Sequence, residues 1–147
     1  MASLSNASET SLLELIFTNV AWDNLGDVSG LQPSGVAGSL YIGLHTADPG
    51  EAGTQATNEA AYSGYARVAV ARSAAGFTVA ADNVSNAAAV TFTVSADGPE
   101  TLTHFSIGLE SSGATEILVS AALTANLIVN IGITPAFAIG ELDTTAA

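Results

Sequence analysis

His45 and His104 are the two imidazoles of this 147-residue chain. Both fall in segments with strand periodicity, and with Asp48 they could form a metal site or an acid–base pair. Neither His-x-His nor His-Glu-x-x-His spacing is present to support a metal, so two half-buried strand histidines are the simpler expectation. Asp97 with Glu100, or Asp48 with Glu51, could be drawn as a glycosidase couple. Such a couple needs a sugar cleft and one raised pKa, whereas both pairs sit in expected turns, where water solvates them. Asp48, Glu51, Asn58 and Glu59 share a glycine-containing loop that could hold calcium, but their spacing departs from the EF-hand. No Gly-x-Ser-x-Gly elbow marks a serine nucleophile. A phosphate-binding P-loop needs lysine, and the chain has none. The expectation is therefore a protein that is not an enzyme, with no catalytic residue, metal or cofactor.

Arg67 and Arg72 are the only Lys or Arg residues, set against 14 carboxylates for a formal charge of −12. They fall in one expected strand an odd number of residues apart, so their side chains should point to opposite faces. Each could close a local salt bridge or pin a neighbouring subunit, because Arg is enriched at interfaces. Both readings stay open at this level.

The elements that must position these residues change along the chain. Between Ser8 and Trp22, the residues Leu12, Leu13, Ile16, Phe17 and Val20 recur at helical spacing. Ser8, Thr10 or Ser11 would supply the N-cap. Residues 23–39, punctuated by glycines and Pro33, read as a long loop of the kind that is usually functional or flexible. From residue 40 the period becomes two. Strands are expected at 40–46, 65–72, 77–80 (as hairpin partner of 65–72), 87–95 and 102–110, then a pair at 116–123 and 127–133, and a short one at 137–139. Asp48-Pro49-Gly50-Glu51 has the residues of a type II turn. The tail from Asp143 is expected to be loose. Short strands separated by turn signals mean a mainly β fold, an antiparallel β-sandwich or barrel with an N-terminal α-helix. The organisation expected is a helix and extended arm at 1–39 followed by a β-sandwich domain at 40–147.

Composition narrows the function classes. Charged residues make up 11% and hydrophobic residues 48%, against about 25% charged in ordinary soluble domains. Nucleic-acid binding needs clustered Lys and Arg to neutralise phosphates, so no nucleic-acid partner is expected. Absence of cysteine removes disulfide scaffolds and Cys-ligated metals. The apolar stretch 117–133 is interrupted by Ser120, Thr124, Asn126, Asn130 and Gly132, so no membrane partner is expected either. Met1 to Asn6 lacks the positive start of a secretory signal. A chain made in the cytoplasm and remaining soluble is expected. An apolar chain with so little charge must hide surface or solvate it with Ser, Thr, Asn and Gly, and the helix face with the many Val and Ile residues suggests that some apolar area meets another protein. The residues expected at such an interface are Leu12, Leu13, Ile16, Phe17, Val20, Trp22, Arg67 and Arg72.

The segment Leu40-Tyr41-Ile42-Gly43-Leu44-His45-Thr46-Ala47-Asp48-Pro49-Gly50-Glu51, followed by Tyr62-Ser63-Gly64-Tyr65-Ala66-Arg67-Val68, resembles small virion proteins of tailed bacteriophages. The similarity continues through Ser85 to Phe92, Thr103 to Gly108 and Gly132 to Phe137. Relatives of this kind are often labelled tail-fibre proteins. A small, cysteine-free, Ala- and Thr-rich β protein of this length also resembles capsid decoration (cement) proteins. That resemblance implies a homotrimer on the outer surface of the capsid, with the major capsid protein as partner. A tail or baseplate/fibre-associated structural protein is the alternative. A carbohydrate-binding module for host recognition, using Tyr41, Tyr62 and Tyr65 as its platform, is the third. The chain shows neither the length nor the repeat of a fibre shaft, which favours the decoration role.

Overall fold

The computed structural model describes residues 4–145. One short helix, α1 (Asn6–Leu13), runs into a π-helical turn at Glu14–Thr18. Nine strands follow: β1 (Ser39–His45), β2 (Val68–Ala71), β3 (Phe77–Ala80), β4 (Asn83–Asn86), β5 (Val90–Thr91), β6 (Glu100–Gly108), β7 (Ile117–Val129), β8 (Ala136–Phe137) and β9 (Asp143–Thr145). The expected mainly β, antiparallel fold with an N-terminal helix is met, and no closed barrel forms among the described residues. None of their helices is long and apolar enough to cross a membrane. Two compact units form. The first draws on residues 4–39, 71–88 and 139–145, the second on 40–70 and 89–138. The chain passes between the units at four points.

In the first unit, α1 starts at Ser5. Its backbone is extended (φ −76, ψ 153) and its hydroxyl accepts the Ser8 N–H at 3.3 Å, which is the N-cap geometry. The expected caps Ser8, Thr10 and Ser11 all lie inside the helix instead, and Thr10 Oγ1 donates to Asn6 O and Ala81 O. Helical structure ends at Asn19 (φ 57), short of Val20 and Trp22. Asn tolerates the left-handed region. There the Glu14 carbonyl collects the N–H groups of Asn19 and Val20 and the Thr18 hydroxyl, which closes the turn. Leu13 and Phe17 are buried, and the Phe17 ring meets Phe77 edge-on at 5.5 Å.

The sheet of this unit runs β3-β4-β9. Phe77–Ala80 pairs with Asn83–Asn86 and not with 65–72. Ala80 opposes Asn83, so only Ala81 and Asp82 connect the strands, and that short turn makes the next segment the partner. The tail expected to be loose is paired from Asp143 to Thr145. Asn86, 1% exposed, explains it: its Oδ1 accepts the Leu142 N–H, its carbonyl accepts the Gly140 N–H, and its own N–H donates to Leu142 O. Leu142 is buried beneath.

The second unit holds the sheet β2-β1-β6-β7 and the two-stranded ribbon β5-β8. In the β1–β6 pair, Ile42 faces Ile107 and Leu44 faces Phe105, all at most 1% exposed. The alternate residues Gly43, His45, His104 and Ser106 occupy the opposite face. The expected strand 65–72 narrows to Val68–Ala71, and 87–95 narrows to Val90–Thr91, which pairs with Ala136–Phe137.

The hairpin expected from 116–123 and 127–133 is one strand. Residues 117–122 pair with 104–108, residues 127–129 pair with 100–102, and 123–126 bulge opposite Thr103. The interruption is where the sequence puts it. Leu123-Thr124-Ala125-Asn126 holds no glycine, proline or positive-φ residue to reverse the chain, so the chain bulges and carries on.

Candidate functional site

On the polar face of β1 and β6, the chain from 46 to 67 folds over the sheet. Gly43 makes room for it: a Cβ there would lie 3.3 Å from Ser106 Oγ and 3.4 Å from the Tyr65 hydroxyl. Gly108 makes room for the Gln55 side chain, whose Nε2 donates to Tyr41 O at 2.9 Å. Arg67 holds this cover in place. Its side chain is 1% exposed. Nε and Nη2 form a two-pronged pair with Glu59 Oε1 and Oε2 at 2.6 and 2.8 Å, the strongest geometry open to a guanidinium. The remaining N–H groups reach Glu110 O, Gly113 O, Thr115 Oγ1 and Gln55 Oε1. One side chain thereby ties the 55–59 and 110–115 segments together.

His45 completes the node. Its Nδ1–H donates to the Thr57 carbonyl at 2.8 Å, and Nε2 accepts from the Ser106 hydroxyl at 2.8 Å. Burial lowers its pKa below the ordinary 6.5, against smaller raising effects of the Thr57 hydrogen bond and Glu59. The ring is therefore neutral. Burial also raises the Tyr65 phenol, with Glu59 adding to the shift, so this hydroxyl stays protonated. It donates to Glu59 and accepts the Leu44 N–H. Tyr62 is pushed up to about 12 by burial, with Glu100 contributing.

A Ser–His hydrogen bond of this length resembles part of an acyl-transfer site. Here both residues are 0% exposed, and the second imidazole nitrogen meets a backbone carbonyl where a triad has a carboxylate. The pair joins β1 to β6 and to the Thr57 backbone, closed off from solvent.

His45 and His104 stand directly opposite each other, but His104 Nδ1 bonds the Thr103 hydroxyl and Asp48 caps the Gly50 N–H. Among the described residues, no three His, Asp or Glu groups gather to hold a metal. Glu59 of the acidic loop is engaged by Arg67. Asp97 accepts the Ser63 N–H, and Glu100 accepts those of Ala61 and Tyr62, so this couple anchors backbone.

In the first unit, Arg72 serves a second purpose. Nε donates to Ile16 O at 2.6 Å, and the two terminal nitrogens reach Leu15 O and Ser34 Oγ. The carbonyls belong to the π-helical turn, whose end leaves acceptors without intrahelical partners. Ser34 lies on the long loop, which is fastened twice more. The Asn19 side chain exchanges hydrogen bonds with the Ser34 backbone at 3.0 Å in each direction. Trp22 and Leu31 exchange backbone bonds at 3.0 and 2.9 Å. Gly30 (φ +63) is required beside that bridge, because a Cβ would overlap the Trp22 carbonyl. From this fastened base the loop displays Leu25, Val28, Leu31 and Val36, with Val28 88% and Val36 84% exposed.

The eight residues expected at an interface occupy varied environments. Leu13, Phe17 and Arg67 are buried within their own units. Leu12, Ile16, Trp22 and Arg72 are half-buried, and Val20 is exposed. Arg67 and Arg72 flank β2, outside the strand that was to carry both. Sequence reasoning marked the loop at 23–39 as a segment that could reach a neighbouring protein but named neither Val28 nor Val36, which stand among glycines and polar residues with no period to mark them. It also passed over Gln55 and Ser106, whose roles depend on contacts far along the chain.

Compared with known protein families, residues 3–145 match the model described as podophage GP4 fiber I protein gp80. No curated protein matches the chain.

Proposed function

The chain belongs to the podophage GP4 fiber I protein gp80 family, a family of phage structural proteins, and on that premise we propose that it is a fibre subunit of the virion working by protein–protein contact without chemistry. The observation that carries the mechanism is the loop after the π-helical turn. It is tied at its base by Arg72, Asn19 and the Trp22–Leu31 bridge, yet it presents Leu25, Val28, Leu31 and Val36 to solvent. A pre-ordered loop with uncovered aliphatic side chains loses little entropy on docking. Many weak contacts of this kind, repeated along one particle, add up through avidity.

Of the virion positions weighed from the sequence, the family description supports the fibre, and capsid decoration lacks such support. A glycan platform of tyrosines is disfavoured, because Tyr62 is 3% exposed and the Tyr65 hydroxyl is engaged by Glu59. The docking partner is a neutral or basic protein surface, since the chain itself carries −12.

The test is the double variant Val28→Asp/Val36→Asp. Each buried valine contributes about 1.5–3 kcal/mol, so incorporation into particles falls by roughly tenfold or more, while the melting temperature of the isolated protein is unchanged. Particles that take up the variant at the wild-type level overturn the docking role of this loop.

A further inference from the structure

Beside the base of the docking loop, the π-helical turn and β3 form a pocket of about 280 Å³. Val20, Ala74, Phe77 and Val79 give it apolar walls, and Glu14 and Thr18 supply a polar side. Small-molecule sites span roughly 300–1,000 Å³, so this volume suits a single side chain better than a cofactor. Glu14 plays two parts. Its backbone carbonyl closes the turn by accepting the Val20 N–H and the Thr18 hydroxyl. Its half-buried carboxylate has no hydrogen-bond or ion-pair partner among the described residues. A carboxylate beside apolar walls is most stable when a cation meets it.

We propose that this pocket receives a lysine side chain of a different virion protein, the partner on which the loop docks. Three observations select that occupant. A lysine lays a flexible aliphatic stem along apolar surface and ends in a compact ammonium, which matches walls of Val20 and Val79 leading to Glu14. This chain cannot supply the cation, nor can a second copy of it. It has no lysine, and its two arginines are engaged, Arg67 with Glu59 and Arg72 with Leu15 O, Ile16 O and Ser34 Oγ. The pocket is also continuous with the docking surface. Val20 is both its wall and the start of the loop, and Asn19 and Arg72 fasten Ser34 of the loop to the same turn. The proposal rests on the docking role of the loop and adds what the partner must carry beside it.

Carbodiimide treatment of purified particles joins carboxylates to amines in contact with them. Because this chain has no lysine, an amide formed at Glu14 identifies either another protein or the amino terminus of a second copy. Peptide mass spectrometry should show Glu14 linked to a lysine of a different virion protein. Uptake of Glu14→Gln into particles should fall roughly three- to tenfold, the loss of one interfacial charge pair. Glu14→Lys sets like charges against each other and should fall further, and neither variant should change the melting temperature of the isolated protein. No amide at Glu14, an amide to the amino terminus of another copy, or wild-type uptake of both variants would each overturn the proposal. The Val28→Asp/Val36→Asp pair separates the two readings. Its exclusion, with both Glu14 variants entering normally, keeps the docking loop and removes the lysine contact. Its normal entry, with both Glu14 variants lost, keeps the lysine contact and removes the docking role of the loop.

Discussion

Arg67 is the residue whose loss should be felt most. Replacing it with Met keeps the bulk but leaves the Glu59 carboxylate without its guanidinium, and breaking a pair of this kind costs about 3–5 kcal/mol. Glu59 is 20% exposed on its side chain, so solvent relief places the expected loss near the lower end. A urea midpoint should fall accordingly, and Glu59→Gln in the same background should recover part of it. His45 should make stability depend on pH. Its folded pKa lies below the unfolded 6.5 because burial penalises the imidazolium. The unfolded chain then binds the proton first. Stability is full above pH 6.5 and declines as pH falls below it, until the folded ring also protonates. Melting temperatures between pH 7.5 and 5.5 should show this decline in the wild type and a shallower one in His45→Asn. Glu59, Arg67 and His104 act on His45 in both directions, but burial is the leading cause. At this scale the sequence showed two histidines and two arginines and gave each a plausible structural role. It could not pair Arg67 with Glu59 in preference to the other carboxylates, because that choice is made by the loop folding over β1.

Among the elements, the π-helical turn depends on an arginine far away in sequence. Arg72→Ala removes hydrogen bonds to Ile16 O, Leu15 O and Ser34 Oγ. Bonds from a charged donor contribute about 1.5–3 kcal/mol each. Shared among half-exposed groups, the loss should be about 2 kcal/mol. Amide exchange across residues 19–36 should accelerate while exchange in β1 and β6 stays slow. Unaltered exchange in the loop would show that Asn19 and the Trp22–Leu31 bridge suffice. β1 and β6 were readable in advance because large apolar residues (Leu40, Ile42, Leu44; Phe105, Ile107) stand at every second position, with Tyr41, Gly43, His45, His104, Ser106 and Gly108 between or beside them. β4 was not, because Asn83-Val84-Ser85-Asn86 has low strand propensity and becomes a strand only by lying between β3 and the tail. β7 was read as two pieces because its interruption is real. That the chain bulges there, and does not turn, goes with a segment that holds no glycine or proline and whose residues all keep negative φ.

For the whole molecule, low charge and high apolar content pointed to contact with other proteins, and the block around Leu40 to Glu51 pointed to phage virions. Membership of the gp80 family agrees with the second of these and draws the first toward the fibre. The position within the particle was not legible, because composition is the same for a subunit on a shell and one on a fibre. Copy number separates them. Quantitative gel densitometry of purified virions, with the major capsid protein as internal standard, counts the chain directly. The account predicts a few to some dozens per particle, the count of a fibre component. Hundreds of copies, matching the capsid lattice, or none at all in purified particles, would contradict it.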